Sequence, residues 1–178
     1  MSPLEFQRSM GCDRLGFKGP LAAQWLSARD IGLPAAPNTW TASGAGEALL
    51  VARLGSAEFF LEEPAGGTRL RALDLTPESA PPGVYPVLRE DRGFSLSGEG
   101  AVEVLAQVCN VNFADLDGPS RPVIMTLMIG VSVLVILQNE AAQRRYRIWC
   151  DPTFGKYLEE SLGAVVIESG GTLRGVWE

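Results

Sequence analysis

The 178-residue chain is 46% hydrophobic and 20% charged, which gives enough apolar content for a sizeable core and excludes bulk disorder. A net charge of −6, with one dense basic run at residues 144–147, argues against nucleic acid as a partner. The sequence contains no histidine, and its three widely spaced cysteines form no C-x-x-C pair, so it predicts neither a zinc site nor a redox dithiol.

The odd number of cysteines, and an N-terminus without a charged segment followed by an apolar one, predict a reducing, cytoplasmic location. An apolar run, Val123–Leu137, has about 15 residues, fewer than the roughly 20 that a membrane-spanning helix needs. Its valines and isoleucines favour strands. We therefore expect no membrane association and two strands that meet near Gly130.

Residues 1–38 are predicted to form an N-terminal arm and linker. Pro20 suits the first turn of a short helix, which Gly32 and Pro34 would end. The prolines that follow favour an extended linker, because each one disfavours helix in the residue before it. The apolar residues of this arm need a surface to cover, either in this domain or in another chain: Leu4, Phe6, Leu15, Phe17, Leu21 and Trp25.

Residues 39–178 are predicted to form a single α+β domain whose first part is rich in strands. Strands are expected over residues 48–54 and 58–62, separated from the next element by a Gly/Pro turn. Alternating apolar and polar residues predict a further strand over 69–75. Residues 85–88 form the last strand candidate of this part and end on a tight polar turn.

The order of elements predicted for residues 94–168 is β-α-β-β-β-α-β, a split β-α-β arrangement of the ferredoxin-like kind. Ser97 is expected to cap the first helix, and Asp151, followed by proline, to cap the second. Gly163 is expected to end that second helix, and residues 165–167 to form a final strand. The apolar face predicted for the second helix consists of Phe154, Tyr157, Leu158, Ser161 and Leu162.

Two glycine-rich stretches, residues 43–46 and 97–100, superficially resemble phosphate-binding loops. Neither completes a dinucleotide fingerprint or a P-loop, so both are interpreted as turns and helix starts. Three pairs of carboxylates are candidate acid–base groups, and we interpret all of them as solvated surface: Glu62-Glu63, Asp115/Asp117 and Glu159-Glu160.

Cys150 is the candidate nucleophile, because a thiol beside a helix N-terminus can have a lowered pKa. No histidine is available to act as its base, so we interpret it as a small packed side chain, as we do Cys109. The basic run Arg144-Arg145-x-Arg147 is interpreted as the solvated start of a strand. The sequence therefore predicts no catalytic, cofactor-binding or metal-ligating residue.

Several segments nevertheless carry a resemblance to a known family. Leu96-Ser97-Gly98-x-x-Ala101, followed by Val104-Leu105, resembles the start of a helix in aminomethyltransferase-like, folate-binding domains. Further matches are Thr126–Leu134, Tyr146–Trp149 and Phe154–Leu158. Within this superfamily the chain most resembles the gamma subunits of heterotetrameric sarcosine oxidases.

The resemblance extends over residues 84–165 and more weakly over 45–75, and it departs at Glu159, where the family often has an aromatic residue. It implies an aminomethyltransferase-like fold and a small, non-catalytic subunit with a structural or assembly role. The complex would oxidatively demethylate sarcosine or another secondary N-methyl amine. The implied partners are alpha-, beta- and delta-type subunits.

The resemblance also implies that this chain carries no cofactor of its own. FAD and FMN are expected in the beta subunit and at its boundary with alpha, NAD and tetrahydrofolate in alpha, and zinc in delta. Three alternatives stay open: the equivalent small subunit of an N-methylglutamate dehydrogenase, a stand-alone folate-binding aminomethyl-transfer protein, and an unrelated binding module.

Overall fold

The computed structural model describes residues 2–43, 48–73, 76, 78–140 and 143–175. Its strands are β1 (Glu5–Ser9), β2 (Cys12–Lys18), β3 (Thr39–Ser43), β4 (Leu49–Arg53), β5 (Glu58–Pro64), β6 (Tyr85–Leu88), β7 (Arg92–Ser97), β8 (Val123–Met128), β9 (Val131–Glu140), β10 (Gln143–Cys150) and β11 (Thr172–Arg174). Its helices are α1 (Ala22–Ser27), α2 (Arg69–Leu73), α3 (Ala101–Val108) and α4 (Pro152–Glu168).

The chain divides into two compact units, and it has the α+β fold class that the sequence predicts. The first unit contains the residues up to Met10 together with those from Asp91 onwards, and the second is Gly11–Glu90. The predicted order β-α-β-β-β-α is confirmed from β7 to α4, and the final strand is β11 at Thr172–Arg174 instead of residues 165–167. Within the described residues, none of the helices combines the length and the apolar character that crossing a bilayer requires.

The first unit is built on a six-stranded sheet in the order β11-β1-β7-β10-β9-β8. Strand β1 pairs in parallel with β11 and antiparallel with β7, and the pairs from β7 to β8 are antiparallel. Apolar side chains on one face of the sheet pack against α3 and α4. This core includes Phe6, Phe94, Leu96, Tyr146, Ile148, Val104, Leu105, Leu158 and Leu162.

The second unit is built on a five-stranded antiparallel sheet in the order β3-β4-β5-β2-β6. In its core, side chains of the central strands pack against α1 and α2. The rings of Phe17 and Trp25 lie 5.1 Å apart between their centroids. Other members of this core are Leu26, Val51, Phe59, Leu61, Leu70 and Leu73.

Residues 1–38 differ from the predicted arm, because they supply strands to both sheets. Strand β1 lies between β7 and β11, and β2 lies between β5 and β6. Phe6 and Phe17 are fully buried within the chain, and Trp25 is 9% exposed. The partners of β1 lie so far along the sequence that no local pattern indicates the pairing. The predicted single domain over 39–178 is likewise replaced by a boundary at Asp91.

Three local predictions are wrong. Residues 69–73 form a helix instead of a strand, because burying Leu70 and Leu73 needs helical spacing. Helix α3 begins after Gly100, and Ser97 is the last residue of β7. Helix α4 continues through Gly163 and residues 165–167 to Glu168, and the chain turns at Gly170, whose N–H donates to the Ile167 carbonyl.

Two other local predictions are confirmed. The apolar run forms β8 and β9, joined by a tight turn in which Ile129 has φ of 50° and Gly130 has φ of 78°. The Asp151 carboxylate caps α4 by accepting the Thr153 N–H at 2.8 Å, and Pro152 occupies the first turn. Hydrogen bonds from Thr153 lower the pKa of Asp151.

We expect Asp151→Ala to lower the midpoint of thermal unfolding by a few degrees, because it leaves an amide of the first turn of α4 without its acceptor. Asp151→Asn is the matched control, since its amide oxygen can still cap. Because its pKa is lowered, the Asp151 carboxylate stabilises the protein at pH values above the ordinary pKa of an aspartate. This stabilisation is lost as the pH falls through the lowered pKa. Equal midpoints for all three proteins at neutral pH would contradict the capping role.

Candidate functional site

Cys150 ends β10 and is 2% exposed, so the structure places it as the packed side chain that the sequence predicts. Burial raises the pKa of its thiol to about 11, and Asp91, Asp151 and Glu159 add to the effect. This direction is opposite to the activation that a helix N-terminus can give. The thiol therefore stays protonated at neutral pH.

We expect iodoacetamide at pH 8 to modify Cys12, which is partly exposed, well before Cys150. Peptide mass spectrometry after timed quenching measures both rates in one sample. Unfolding in urea should make the two cysteines react at similar rates. Equal rates in the native protein would show that the Cys150 thiolate is accessible.

The glycine-rich stretch at 97–100 forms a turn that packs on the N-terminal residues. The backbone of Pro3 lies so close to Gly98 that a Cβ there would overlap its carbonyl. The N–H of Glu99 donates to the Ser2 carbonyl at 3.0 Å. This amide is therefore already engaged within the chain. Residues 44–46 of the other glycine-rich candidate lie outside the described residues.

The prediction that Glu62 and Glu63 are solvated is wrong, because they are 2% and 4% exposed. The Glu62 carboxylate accepts a hydrogen bond from Nε of Arg14 at 2.6 Å. The Glu63 carboxylate accepts the N–H of Leu70 at 2.9 Å, which holds the first turn of α2 against β5. Gly67 lies beside this carboxylate, and a Cβ at this position would displace the carboxylate from where it accepts the Leu70 N–H.

The other two carboxylate pairs are closer to the prediction of solvent exposure. Asp115 and Asp117 are exposed in short 3-10 turns. Glu160 is exposed and lies 3.7 Å from Nζ of Lys156. Glu159 is partly buried, and burial raises its pKa while the nearby Arg8 lowers it. Among the described residues, no three His, Cys, Asp or Glu side chains group together as a metal site would require.

The second unit contains a groove of about 500 Å³ lined by residues of β2, α2 and the end of β6. Arginines line it from all three elements: Arg14 from β2, Arg71 from α2 and Arg89 after β6. Nη2 of Arg89 lies 3.2 Å from the Glu58 carboxylate. Guanidinium groups bind carboxylates and phosphates through paired hydrogen bonds, and since Arg14 contacts Glu62 and Arg89 contacts Glu58, the exposed Arg71 is the arginine of this groove most accessible to an anionic group.

The geometry of this groove favours binding over proton transfer. The Glu62 and Glu58 carboxylates each contact an arginine, so their oxygens are engaged as acceptors. A general acid or base needs a proton positioned toward a reacting group, and these carboxylates face cations instead. The groove also carries the carboxylates of Asp13 and Glu90, which balance part of its positive charge.

Sequence reasoning missed this groove, although one signal could have found part of it. Arg14 and Glu62 lie 48 positions apart and face each other directly in the β2–β5 pairing. In the same register Lys18 faces Glu58. Pairing the two segments by opposite charge would have indicated that both are neighbouring strands.

We expect Glu62→Gln to destabilise the protein by about 3–5 kcal/mol, because it removes the negative charge opposite the buried Arg14 guanidinium. Glu160→Gln, in an exposed ion pair, is the matched control and should cost under about 1 kcal/mol. Urea-induced unfolding followed by circular dichroism measures both. Equal losses would show that burial of the Arg14–Glu62 pair is energetically unimportant.

Comparison with models of protein families gives no match to this chain, and comparison with the sequences of curated proteins gives none either. Solved structures do match. The chain is similar to a chain of the heterotetrameric sarcosine oxidase from Corynebacterium sp. U-96, determined in complex with pyrrole 2-carboxylate. The TM-score is 0.72 at 21% identity, covering 97% of this chain and 88% of that chain.

The chain is also similar to the glycine cleavage system aminomethyltransferase T from Bartonella henselae, with a TM-score of 0.66 and 16% identity. This match covers 98% of this chain and 48% of that chain, so the chain spans about half the length of the aminomethyltransferase. Both matches confirm the predicted aminomethyltransferase-like fold.

Proposed function

We propose that this chain is the small, gamma-type subunit of a heterotetrameric sarcosine oxidase-like complex and that it serves assembly instead of catalysis. The observation that carries the proposal is the extent of the structural match. The alignment covers 97% of this chain and 88% of the oxidase chain, so the two are similar in length as well as fold. The aminomethyltransferase has roughly another half without a counterpart here.

The charged groups and the sequence pattern support the assembly role. The sequence has no histidine, and the carboxylates that the fold buries are engaged by arginine or by the backbone. In this proposal the partners are alpha-, beta- and delta-type subunits in the cytoplasm. They hold FAD, FMN, NAD, tetrahydrofolate and zinc, and the complex oxidatively demethylates sarcosine or another secondary N-methyl amine. An N-methylglutamate dehydrogenase would use an equivalent small subunit.

The second candidate function is folate binding with aminomethyl transfer. Two observations favour it: the fold shared with an aminomethyltransferase, and a groove whose exposed arginine, Arg71, can contact an anionic group. Folate carries carboxylates on its glutamate tail, and arginine binds carboxylates well. This candidate requires the isolated chain to bind folate.

The test is purification of the chain from its native host with a C-terminal affinity tag, because Ser2 and Pro3 pack against the turn at Gly98. We expect larger subunits with a flavin absorption spectrum to co-purify, and their flavin to be reduced when sarcosine or a related N-methyl amine is added. The chain expressed alone should carry no flavin, nicotinamide or zinc.

Calorimetric titration of the isolated chain with tetrahydrofolate separates the two functions. The assembly role expects no saturable binding. Stoichiometric binding that weakens at least tenfold in Arg71→Ala, together with the absence of co-purifying flavoproteins, would overturn it in favour of the folate-binding function. Arg71 is the suitable position because its exposed side chain lines the groove.

A further inference from the structure

Strand β6 forms one edge of the five-stranded sheet, and none of its side chains is buried. Tyr85 and Leu88 are 58% and 76% exposed, and Pro86 cannot donate a hydrogen bond to a neighbouring strand. The strand pairs with β2 over a short stretch that begins opposite Lys18 and ends opposite Leu15. Segments with few buried apolar contacts and a short ladder open locally at a low cost in free energy.

The two ends of β6 are placed differently. Val84, immediately before the strand, is 2% exposed and belongs to the core of the second unit. Residues 88–90, at the other end, line the groove of about 500 Å³ that β2 and α2 also line. We call residues 85–90 the β6 strap. It is anchored in the core at its start and forms one wall of the groove at its end.

An ion pair holds the groove end of the strap. Nη2 of Arg89 lies 3.2 Å from Oε1 of Glu58 on β5, and its guanidinium lies 5.8 Å from the ring centroid of Phe60. The same Glu58 oxygen lies 3.0 Å from Nζ of Lys18 on β2. The Glu58 side chain is 33% exposed, so both ion pairs are open to screening by salt.

Gly16 on β2 provides the space in which the strap lies. A Cβ at position 16 would come within 3.0 Å of the Val87 Cβ and of the Arg89 Nε. At this position, therefore, β2 has no side chain with which the strap could interlock. The close approach of the strap to β2 depends on that missing side chain.

We propose that the β6 strap opens and closes one side of the groove, and that the Glu58–Arg89 ion pair keeps it closed. Opening separates the Arg89 guanidinium from the Glu58 carboxylate and moves residues 88–90 away from β2 and α2. Lys18 still pairs with Glu58 in the open state, so this carboxylate keeps a cation in both states. The strap controls the access of solutes to the groove and to Arg71. This inference goes beyond the assembly role and does not depend on it.

The first measurement uses Cys12 as a reporter, because it lines the groove and is partly exposed, whereas Cys109 and Cys150 are buried. Its alkylation rate with the bulky, neutral N-(1-pyrenyl)maleimide is divided by its rate with the small, neutral N-ethylmaleimide. Changes in the thiol pKa cancel in this ratio. We expect the ratio to rise about two- to fivefold when the ionic strength is raised from about 0.01 to about 1 M, because salt screens a partly exposed ion pair.

The second measurement repeats this comparison on Glu58→Gln, which removes the carboxylate that holds the strap. We expect its ratio at low ionic strength to reach the high-salt value of the wild type and to lose its salt dependence. Lys18→Gln is the matched control, since it removes the other cation from the same carboxylate and leaves Arg89 its partner. It should keep the wild-type ratio. If both variants raise the ratio equally, the β2–β5 pair has loosened as a whole and the strap is wrong.

Hydrogen exchange by mass spectrometry on the wild-type chain decides the matter even if Glu58→Gln fails to fold. We expect amides of residues 85–90 to exchange about two- to fivefold faster at the high ionic strength, and amides of the interior strand β4 to stay unchanged. Unchanged exchange in residues 85–90, or a wild-type alkylation ratio that does not respond to salt, overturns the proposal. Co-purification of flavoprotein subunits tests the assembly role separately, so either proposal can fail while the other stands.

Discussion

The pairing of β1 with β7 and β11 is the constraint on which the rest of the structure depends. It brings Glu5–Ser9 into the sheet of the unit that otherwise begins at Asp91, so the second unit is an insertion between two neighbouring strands. Phe6 then stacks on Phe94 with ring centroids 5.4 Å apart, inside the core that α3 and α4 cover. The turn at Gly98 can pack on Pro3 only because this pairing has placed the N-terminus beside it.

Electrostatics in the second unit show how a strand pair can be specified by charge as well as by apolar packing. Arg14 faces Glu62 and Lys18 faces Glu58 in the β2–β5 register, so a one-residue slip would place each charge on the wrong face of the sheet. Removing a buried pair in favour of apolar residues is often neutral for stability. In this view, the main contribution of the Arg14–Glu62 contact is to fix one register of the β2–β5 pair. The arginine-lined groove depends on that register.

The sequence was sufficient for elements whose signals are local. Asp151-Pro152 marks the start of α4 through capping, and Gly130 marks the β8–β9 turn through its backbone freedom. The sequence was insufficient where the burial or the secondary structure of a residue depends on a partner far along the chain. Burial of Glu62 depends on Arg14, and the strand character of residues 5–9 depends on β7 and β11. The groove was missed for the same reason, since its arginines come from three separate elements.

The interleaved path of the chain has a consequence for the order in which the protein folds during synthesis. The described strands of the second unit all lie between Gly11 and Glu90, so each has its pairing partners before Asp91 is synthesised. Strand β1 is synthesised before its partners β7 and β11 and must wait for both. During this interval its apolar residues are open to chaperones. The pairing of β1 is complete only when β11 joins it.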